Sequence, residues 1–395
     1  MTDQLGPGIR VAVVYDCLFP YDTGGGERVY RRMSELFAER GASVTYLTRS
    51  YDFAGAREEP AFVVEPIWSG QLYDGTGTRT SRGALAFSLA VYRSLRHSRG
   101  SYDLVVASAL PVLTLIAAHW AIRGTPAYLV GDWLEVWSWR QWRKYSGTLV
   151  GTLGWVLQSV GSRSADLHTV NSLFTAERLR RYRGGKNQLV LGLVDLAGEP
   201  HAPVPARKPP TIIFIGRHIP DKRINALLAA FDVARRTLLD LHLIVVGSGP
   251  QSAGLHLEIA RLGLVGAVDI VGRVTDELLH ELLSTASALV TASAREGFGL
   301  VVAEAASWGV PSVVVAGPDN AAVELIEEGV NGFIAGSVDA ESLAAAIVRA
   351  VDSGNTLRVR TAAWYEVERV QRGLGASVDA ILQRFSRARD ERRPR

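Results

Sequence analysis

The sequence predicts an α/β protein built from two doubly wound, parallel-sheet domains facing across a cleft. Three observations lead there. Short β-branched and aliphatic runs alternate with amphipathic stretches, the pattern of parallel strands joined by crossover helices. A length of 395 residues exceeds one ordinary core and suits two domains of about 150–200 residues. Between two such alternating series the texture breaks: residues 196–210 hold five prolines, which stiffen the chain and prevent regular pairing.

In the first series, 10–16 (RVAVVYD) is a buried strand, followed by a glycine loop and a helix from about Glu27 to Arg40. The runs 43–48, 103–108 and 127–131 are further strands, and 165–171 is expected to close this half. The second series supplies strands at 211–216, 241–247, 268–272, 288–293 and 311–316. This sets a first domain over 1–195, an interdomain linker over 196–210 and a second domain over 211–374. Open α/β sheets bind ligands beyond the carboxyl ends of their strands, so a cleft between two such units is the expected site.

Composition narrows the function. With 47% hydrophobic and 21% charged residues the chain is an ordinary globular protein. The single cysteine, Cys17, excludes an intramolecular disulfide and a cysteine metal cluster, and fits a reducing cytoplasm. The N-terminus MTDQLGPGIR lacks a basic region followed by an apolar run, so no signal peptide is expected. The net charge of +3 comes almost wholly from arginine, only four lysines being present. No basic-aromatic block suggests nucleic acid, and the basic end RARDERRPR reads as a solvated tail. Residues 104–122 are uncharged and long enough to span a bilayer, but Pro111 and the strand-like start LVVAS favour a strand, a turn and a core-facing helix.

The most informative stretch runs from Glu296 to Glu304, EGFGLVVAE, at a strand-to-helix junction. Gly297 and Gly299 let the backbone bend sharply and approach a ligand, and the following helix N-terminus offers unpaired N–H groups to a phosphate. Alone, two glutamates at this spacing also suit an ordinary turn. Gly216-Arg217-His-Ile-Pro-Asp-Lys222 follows the first strand of the second half and places a guanidinium and an ammonium at its end. Arg217 offers a planar fork and Lys222 a point charge. Val246-Gly247-Ser-Gly249 and Val271-Gly272-Arg273-Val274 are further strand-end turns. In the first half, Asp22-Thr-Gly-Gly-Gly-Glu27 holds three consecutive glycines, which favours ligand approach over a plain turn; it is neither a G-x-G-x-x-G fingerprint nor a Walker loop.

In this order these motifs resemble the E-x7-E signature of the retaining, nucleotide-sugar-dependent glycosyltransferases of family four, which have the GT-B fold of two Rossmann-like domains. The resemblance covers the whole second half strongly and is looser in the first. It implies a retaining hexosyltransferase acting on a nucleoside-diphosphate sugar and a hydroxyl acceptor (glycan, glycolipid or secondary metabolite), with no metal or other cofactor. It implies an acceptor-side first domain completed by a C-terminal helix over 375–390, and a donor-binding second domain. Glu296 would lie by the donor sugar and Glu304 on the ribose. Arg217, Lys222 and the backbone at Gly299, Leu300 and Val301 would hold the diphosphate, with Gly25 and Gly26 closing over it. Gly247, Arg273 and Val274 would line the nucleotide.

One departure stands out. Family members carry a histidine after the strand matching 127–131; here the segment is Gly131-Asp132-Trp133-Leu134-Glu135-Val136-Trp137, with Leu134 in its place. Asp132 or Glu135 is left to supply a polar group, or His119, which follows a different strand. A GT-B nucleotide-sugar epimerase and a catalytically degenerate sugar-nucleotide-binding protein are alternatives, while a nicotinamide oxidoreductase lacks its phosphate loop. Five of the nine tryptophans fall within Trp133–Trp155, beside Arg140, Arg143 and Lys144. That segment suits a membrane interface or a lipid-linked acceptor at the inner membrane face, with core packing and sugar stacking as alternatives.

Overall fold

A computed structural model of the chain describes residues 8–22, 24–51, 61–72, 79–182 and 184–392, the side chain of Tyr145 excepted. Residues 1–7, Thr23 of the glycine loop and the last three residues of the basic tail lie outside them. The chain divides into two units: Met1–Leu193 with Gly373–Arg395, and Val194–Arg372.

The first unit is a sheet of seven parallel strands: β1 (Arg10–Val14), β2 (Ser43–Arg49), β3 (Val63–Trp68), β4 (Leu104–Ser108), β5 (Tyr128–Trp133), β6 (Leu167–Val170) and β7 (Gln188–Val190). Their order, β3-β2-β1-β4-β5-β6-β7, reverses direction beside β1. Val11 pairs with both Val44 and Leu104, so β1 is central and buried on both faces, which is why its sequence is continuously apolar. The helices are α1 (Gly25–Glu39), α2 (Ser81–His97), α3 (Val112–Ile122), α4 (Trp139–Gly161) and α5 (Leu173–Arg180). On α1, Val29, Tyr30, Met33, Leu36 and Phe37 make one buried stripe at helical spacing. The run 104–122 becomes β4 and α3, and among the described residues no helix is long and apolar enough to cross a membrane.

Two strands of this unit, β3 and β7, escape the apolar-run reading because they are the sheet's edges. β3 carries Glu65 and Pro66 and is largely exposed, and Pro is tolerated at an edge where no ladder donor is needed. β7 has only three residues.

The second unit repeats the scheme with β8 (Thr211–Ile215), β9 (His242–Val246), β10 (Val268–Gly272), β11 (Ala288–Thr291), β12 (Ser312–Val315) and the short β13 (Gly332–Ala335). The order β10-β9-β8-β11-β12-β13 is the 3-2-1-4-5-6 arrangement of a dinucleotide-fold sheet. Its helices are α6 (Ile224–Arg235), α7 (Ser252–Arg261), α8 (Asp276–Thr285), α9 (Leu300–Ser307), α10 (Ala340–Asp352) and α11 (Gly354–Gln371). Phe214, Leu227, Phe231, Leu243, Val290 and Val313 centre the core. The last helix, α12 (Leu374–Glu391), returns to the first unit, where Arg40 donates to Asp379 and to the Gly375 carbonyl at 2.9 Å.

The proline-rich segment is strapped to the second unit rather than left as a free tether. The His201 N–H donates to Ser307 O at 2.8 Å, Arg207 N–H to Thr285 O at 2.9 Å, and the His201 ring stacks on Trp308 at 3.5 Å. Arg358 holds it from below. Its guanidinium is buried and donates to the carbonyls of Val204 (2.8 Å), Ser284 (2.6 Å) and Ala286. With carbonyls alone as partners, burial pushes its pKa down to about 10.

Candidate functional site

In the second unit the strand ends converge. Gly247 has φ 122°, and a Cβ there would stand 2.0 Å from the Gly216 carbonyl oxygen, so only glycine permits β8 and β9 to end this close. Gly216 N–H donates to Val246 O, and Gly247 N–H to Gly272 O, lining three strand ends along one edge. Beyond them, a 3-10 turn over Pro220–Lys222 brings Lys222 back toward Gly216.

Lys222 Nζ forms an ion pair with Glu296 Oε1, joining residues 74 apart in sequence. Ser293 Oγ donates to the same carboxylate oxygen at 2.8 Å. A second bridge, Arg295 to Asp221 at 2.8 Å, and a bond from Ala294 N–H to Asp221 O at 2.7 Å lock these two loops together. The Glu296 backbone is fixed in turn between Asp319 and Ala321. Arg217, by contrast, is exposed, with no side-chain partner among the described residues. It is an exposed cation at the carboxyl end of β8.

Helix α9 begins where the sequence places it. Gly299 caps it with φ 93°, and a Cβ there would come within 2.7 Å of Ala322 Cβ. Leu300 and Val301 then present the first-turn N–H groups that no helix can satisfy internally. Glu304, half-buried, lies one turn further along α9. Arg273 is exposed, and its Nε donates to Ser248 Oγ at 3.2 Å, so the turns after β9 and β10 meet. Val274 beside it is half-buried.

His218, inside the Gly216–Lys222 motif, escaped the sequence reading, which weighed only the two cations. It is buried, with Nδ1 2.8 Å from Ser252 Oγ, and Nε2 has no hydrogen-bond partner among the described residues. Burial lowers its pKa and keeps the ring neutral. Ser293 and Asn320 were also missed. Asn320 donates to Val315 O at 2.8 Å and accepts from Ala322 N–H at 3.1 Å, fixing the turn against which Gly299 packs.

In the first unit the glycine loop and the β5 end meet. A Cβ on Gly26 would stand 2.9 Å from Leu134 Cδ1 and 3.0 Å from the Tyr15 hydroxyl. Both contacts are to side-chain tips, so the loop lies directly against the Leu134 and Tyr15 side chains. The neighbouring Gly25 opens α1, with Glu27 in its first turn; burial raises the Glu27 pKa.

The polar side chains that could stand in for the absent histidine all have hydrogen-bond partners within the first unit. Asp132 is fully buried in β5, accepting from Tyr30 Oη and Thr169 Oγ1, both at 2.6 Å. Burial raises its pKa despite these donors. His119 stands in the last turn of α3, at the amino edge of the sheet, with Nδ1 2.8 Å from Ser164 O. Glu135 is half-buried and accepts from the Trp137 indole at 2.5 Å. The buried His168 is also committed: its Nδ1 accepts from Trp133 Nε1 at 3.0 Å and its Nε2 donates to Ser162 O at 2.9 Å. Trp133 is core, Trp137, Trp142 and Trp155 are half-buried, and only Trp139 of the five is exposed.

Comparison with known proteins assigns both units. The family model described as glycosyl transferases group 1 matches residues 199–363, and the glycosyl transferase 4-like domain matches 24–192. The chain is 32% identical over 38% of its length to an exopolysaccharide phosphotransferase of Streptomyces coelicolor, spanning only 16% of that protein. A D-inositol 3-phosphate glycosyltransferase of Geodermatophilus obscurus is 27% identical, with 82% of this chain and 77% of that one covered. The fold matches a sucrose-phosphate synthase from Thermosynechococcus elongatus with TM-score 0.79, at 18% identity over 96% of this chain and 100% of the other. It also matches Anabaena HepE in complex with UDP-glucose, with TM-score 0.67 and 20% identity over 97% and 100% of the two chains.

Proposed function

The chain belongs to the group 1 glycosyltransferases of GT-B fold, and on that premise we propose that it moves a hexose from a nucleoside diphosphate to a hydroxyl acceptor with retention of configuration. The acceptor class is a glycan, glycolipid or secondary metabolite, lipid-linked acceptors included. The carrying observation is the Lys222–Glu296 ion pair, in a unit that also carries an exposed Arg217 after β8 and the first-turn amides of α9. Cation, carboxylate and amide dipoles are the charges that rupture of a sugar–diphosphate bond calls for. HepE, whose solved complex holds UDP-glucose, supports a sugar nucleotide as donor.

As the bond from the anomeric carbon to the phosphate oxygen breaks, Arg217, Lys222 and the Leu300 and Val301 N–H groups meet the charge left on the diphosphate. Glu296, held by Lys222 and Ser293, faces the positive character that develops on the sugar. The acceptor oxygen bonds to the anomeric carbon on the face the diphosphate leaves, and its proton passes to the leaving phosphate oxygen. Glu304 holds the ribose; Gly247, Arg273 and Val274 line the base. Side chains and amides take the place of a metal, so EDTA leaves turnover unchanged. Retention rests on the resemblance of Glu296 and Glu304 to the family's paired glutamates. The enzyme works in the cytoplasm.

The test is donor turnover in Arg217→Ala and Lys222→Ala, after a thermal-shift screen of UDP-, GDP-, ADP- and dTDP-sugars identifies the donor. A ligand at a hundred times its dissociation constant adds about 2.7 kcal/mol of stability. Unchanged turnover in both variants defeats the assignment.

A further inference from the structure

One face of the first unit carries apolar side chains left exposed among the described residues. Helix α4 is two helices joined at Gly147, where φ is 75° and ψ 178°. Its second segment exposes Leu149 (87%), Leu153 (58%), Val156 and Val160, spaced four, three and four residues apart, with Val150 (55%) alongside. That is one unbroken stripe down a helix. On α2, Leu85 (61%), Leu89 and Tyr92 repeat the pattern. Helix α3 packs between the two and exposes Trp120.

Charge decides what the face fits. None of the 17, 11 and 23 residues of α2, α3 and α4 is acidic. Between Ser81 and Gly161 the only acidic residues are Asp103, bound to Arg10, the buried Asp132 and Glu135, taken by Trp137. Arg82, Arg93 and Arg96 stand exposed in register with the α2 stripe. At the start of α4, Arg140 and Lys144 are exposed, and the Arg143 guanidinium lies 4.3 Å over the Trp139 ring. A cavity of about 370 Å³ flanks the α4 stripe, walled by Trp137, Trp139, Trp155 and Tyr182 and rimmed by Arg163 and Arg178. Aromatic and arginine side chains beside an aliphatic ridge are the composition that settles at a lipid headgroup boundary.

We propose that the α2–α3–α4 face docks the enzyme on an anionic lipid bilayer, with Leu149 and Leu153 entering the headgroup region and the arginines meeting lipid phosphates. The contact is led by the aliphatic second segment of α4 and by α2, with the Trp139 end of α4 beside them. A second copy of the chain does not suit this surface, because a twofold contact would set cations against cations without a carboxylate to answer them. The proposal stands independently of the donor chemistry.

The full chain is sedimented with phosphatidylcholine vesicles with and without phosphatidylglycerol, at low and high salt. Binding to the anionic vesicles alone, weakened by salt, is expected. Leu149→Glu/Leu153→Glu lowers the partition coefficient by at least about tenfold, and Arg140→Ala or Arg93→Ala by about fivefold each. These positions are exposed, so melting temperature and donor-induced thermal shift stay at parent values, which separates failure here from failure of the transferase reading. Should unfolding accompany the glutamates, Leu149→Ser/Leu153→Ser gives the same comparison. Equal binding to neutral vesicles, no binding to either, or a solution dimer broken by the glutamate pair overturns the proposal.

Discussion

Substituting Lys222 with methionine separates two jobs of one ammonium group: counterion to Glu296 and partner of the leaving diphosphate. Exposures of 20% and 15% leave the two side chains only partly screened. Unit charges near 4 Å at an effective dielectric of 20 interact by about 4 kcal/mol. At 1.36 kcal/mol per decade, losing that interaction in the transition state slows donor turnover by about a thousandfold. The folded state suffers less, because Ser293 still donates to the Glu296 carboxylate. An incompletely paired carboxylate costs about 1–3 kcal/mol, visible as a lower melting temperature. Adding Glu296→Gln removes the orphaned anion, so the double variant regains stability while turnover stays low. Calorimetry and nucleoside-diphosphate release from the donor are the two assays. A double variant with parental turnover would show Lys222 to be only a counterion, refuting the assigned roles.

Three further outcomes follow from the packing. The raised pKa of Asp132 means the folded chain keeps a proton that the unfolded chain releases at the ordinary carboxylate value. Stability contributed there falls as pH rises from that value through the folded pKa, so the melting temperature of Asp132→Asn relative to the parent climbs across that window; a pH-independent difference contradicts this. Gly299→Ala forces a left-handed alanine, costing about 1–2 kcal/mol, plus a clash with Ala322, and abolishes the donor thermal shift. A variant that melts and binds donor like the parent would refute the cap. Arg358→Met leaves the Val204, Ser284 and Ala286 carbonyls short of a donor, each worth about 1–3 kcal/mol, partly offset by relief of a buried charge. A net loss of about 2–4 kcal/mol, with faster proteolysis within 196–210, is expected; unchanged cleavage means Arg358 does not hold the strap.

By itself the sequence determined the doubly wound architecture, because parallel strands buried on both faces must be continuously apolar and strand-to-helix turns must carry glycine. It also named Arg217, Lys222, Glu296 and Gly299, since a cation after a strand and a glycine before a helix are local signals. Edge strands such as β3 and β7, half-exposed and short, carry no such signal. Tertiary structure alone decided the rest. Nothing local says that Lys222 meets Glu296, 74 residues away, or that Arg358 grips Val204. Nor does spacing reveal that Asp132 lies between Tyr30 and Thr169, that His218 has an unanswered nitrogen, or that Leu149 is bare while Trp133 is buried. Partner and burial are properties of chain segments distant in sequence. A residue's chemistry can be read along the chain, but the charge it faces and the solvent it keeps are fixed only when the sheets assemble.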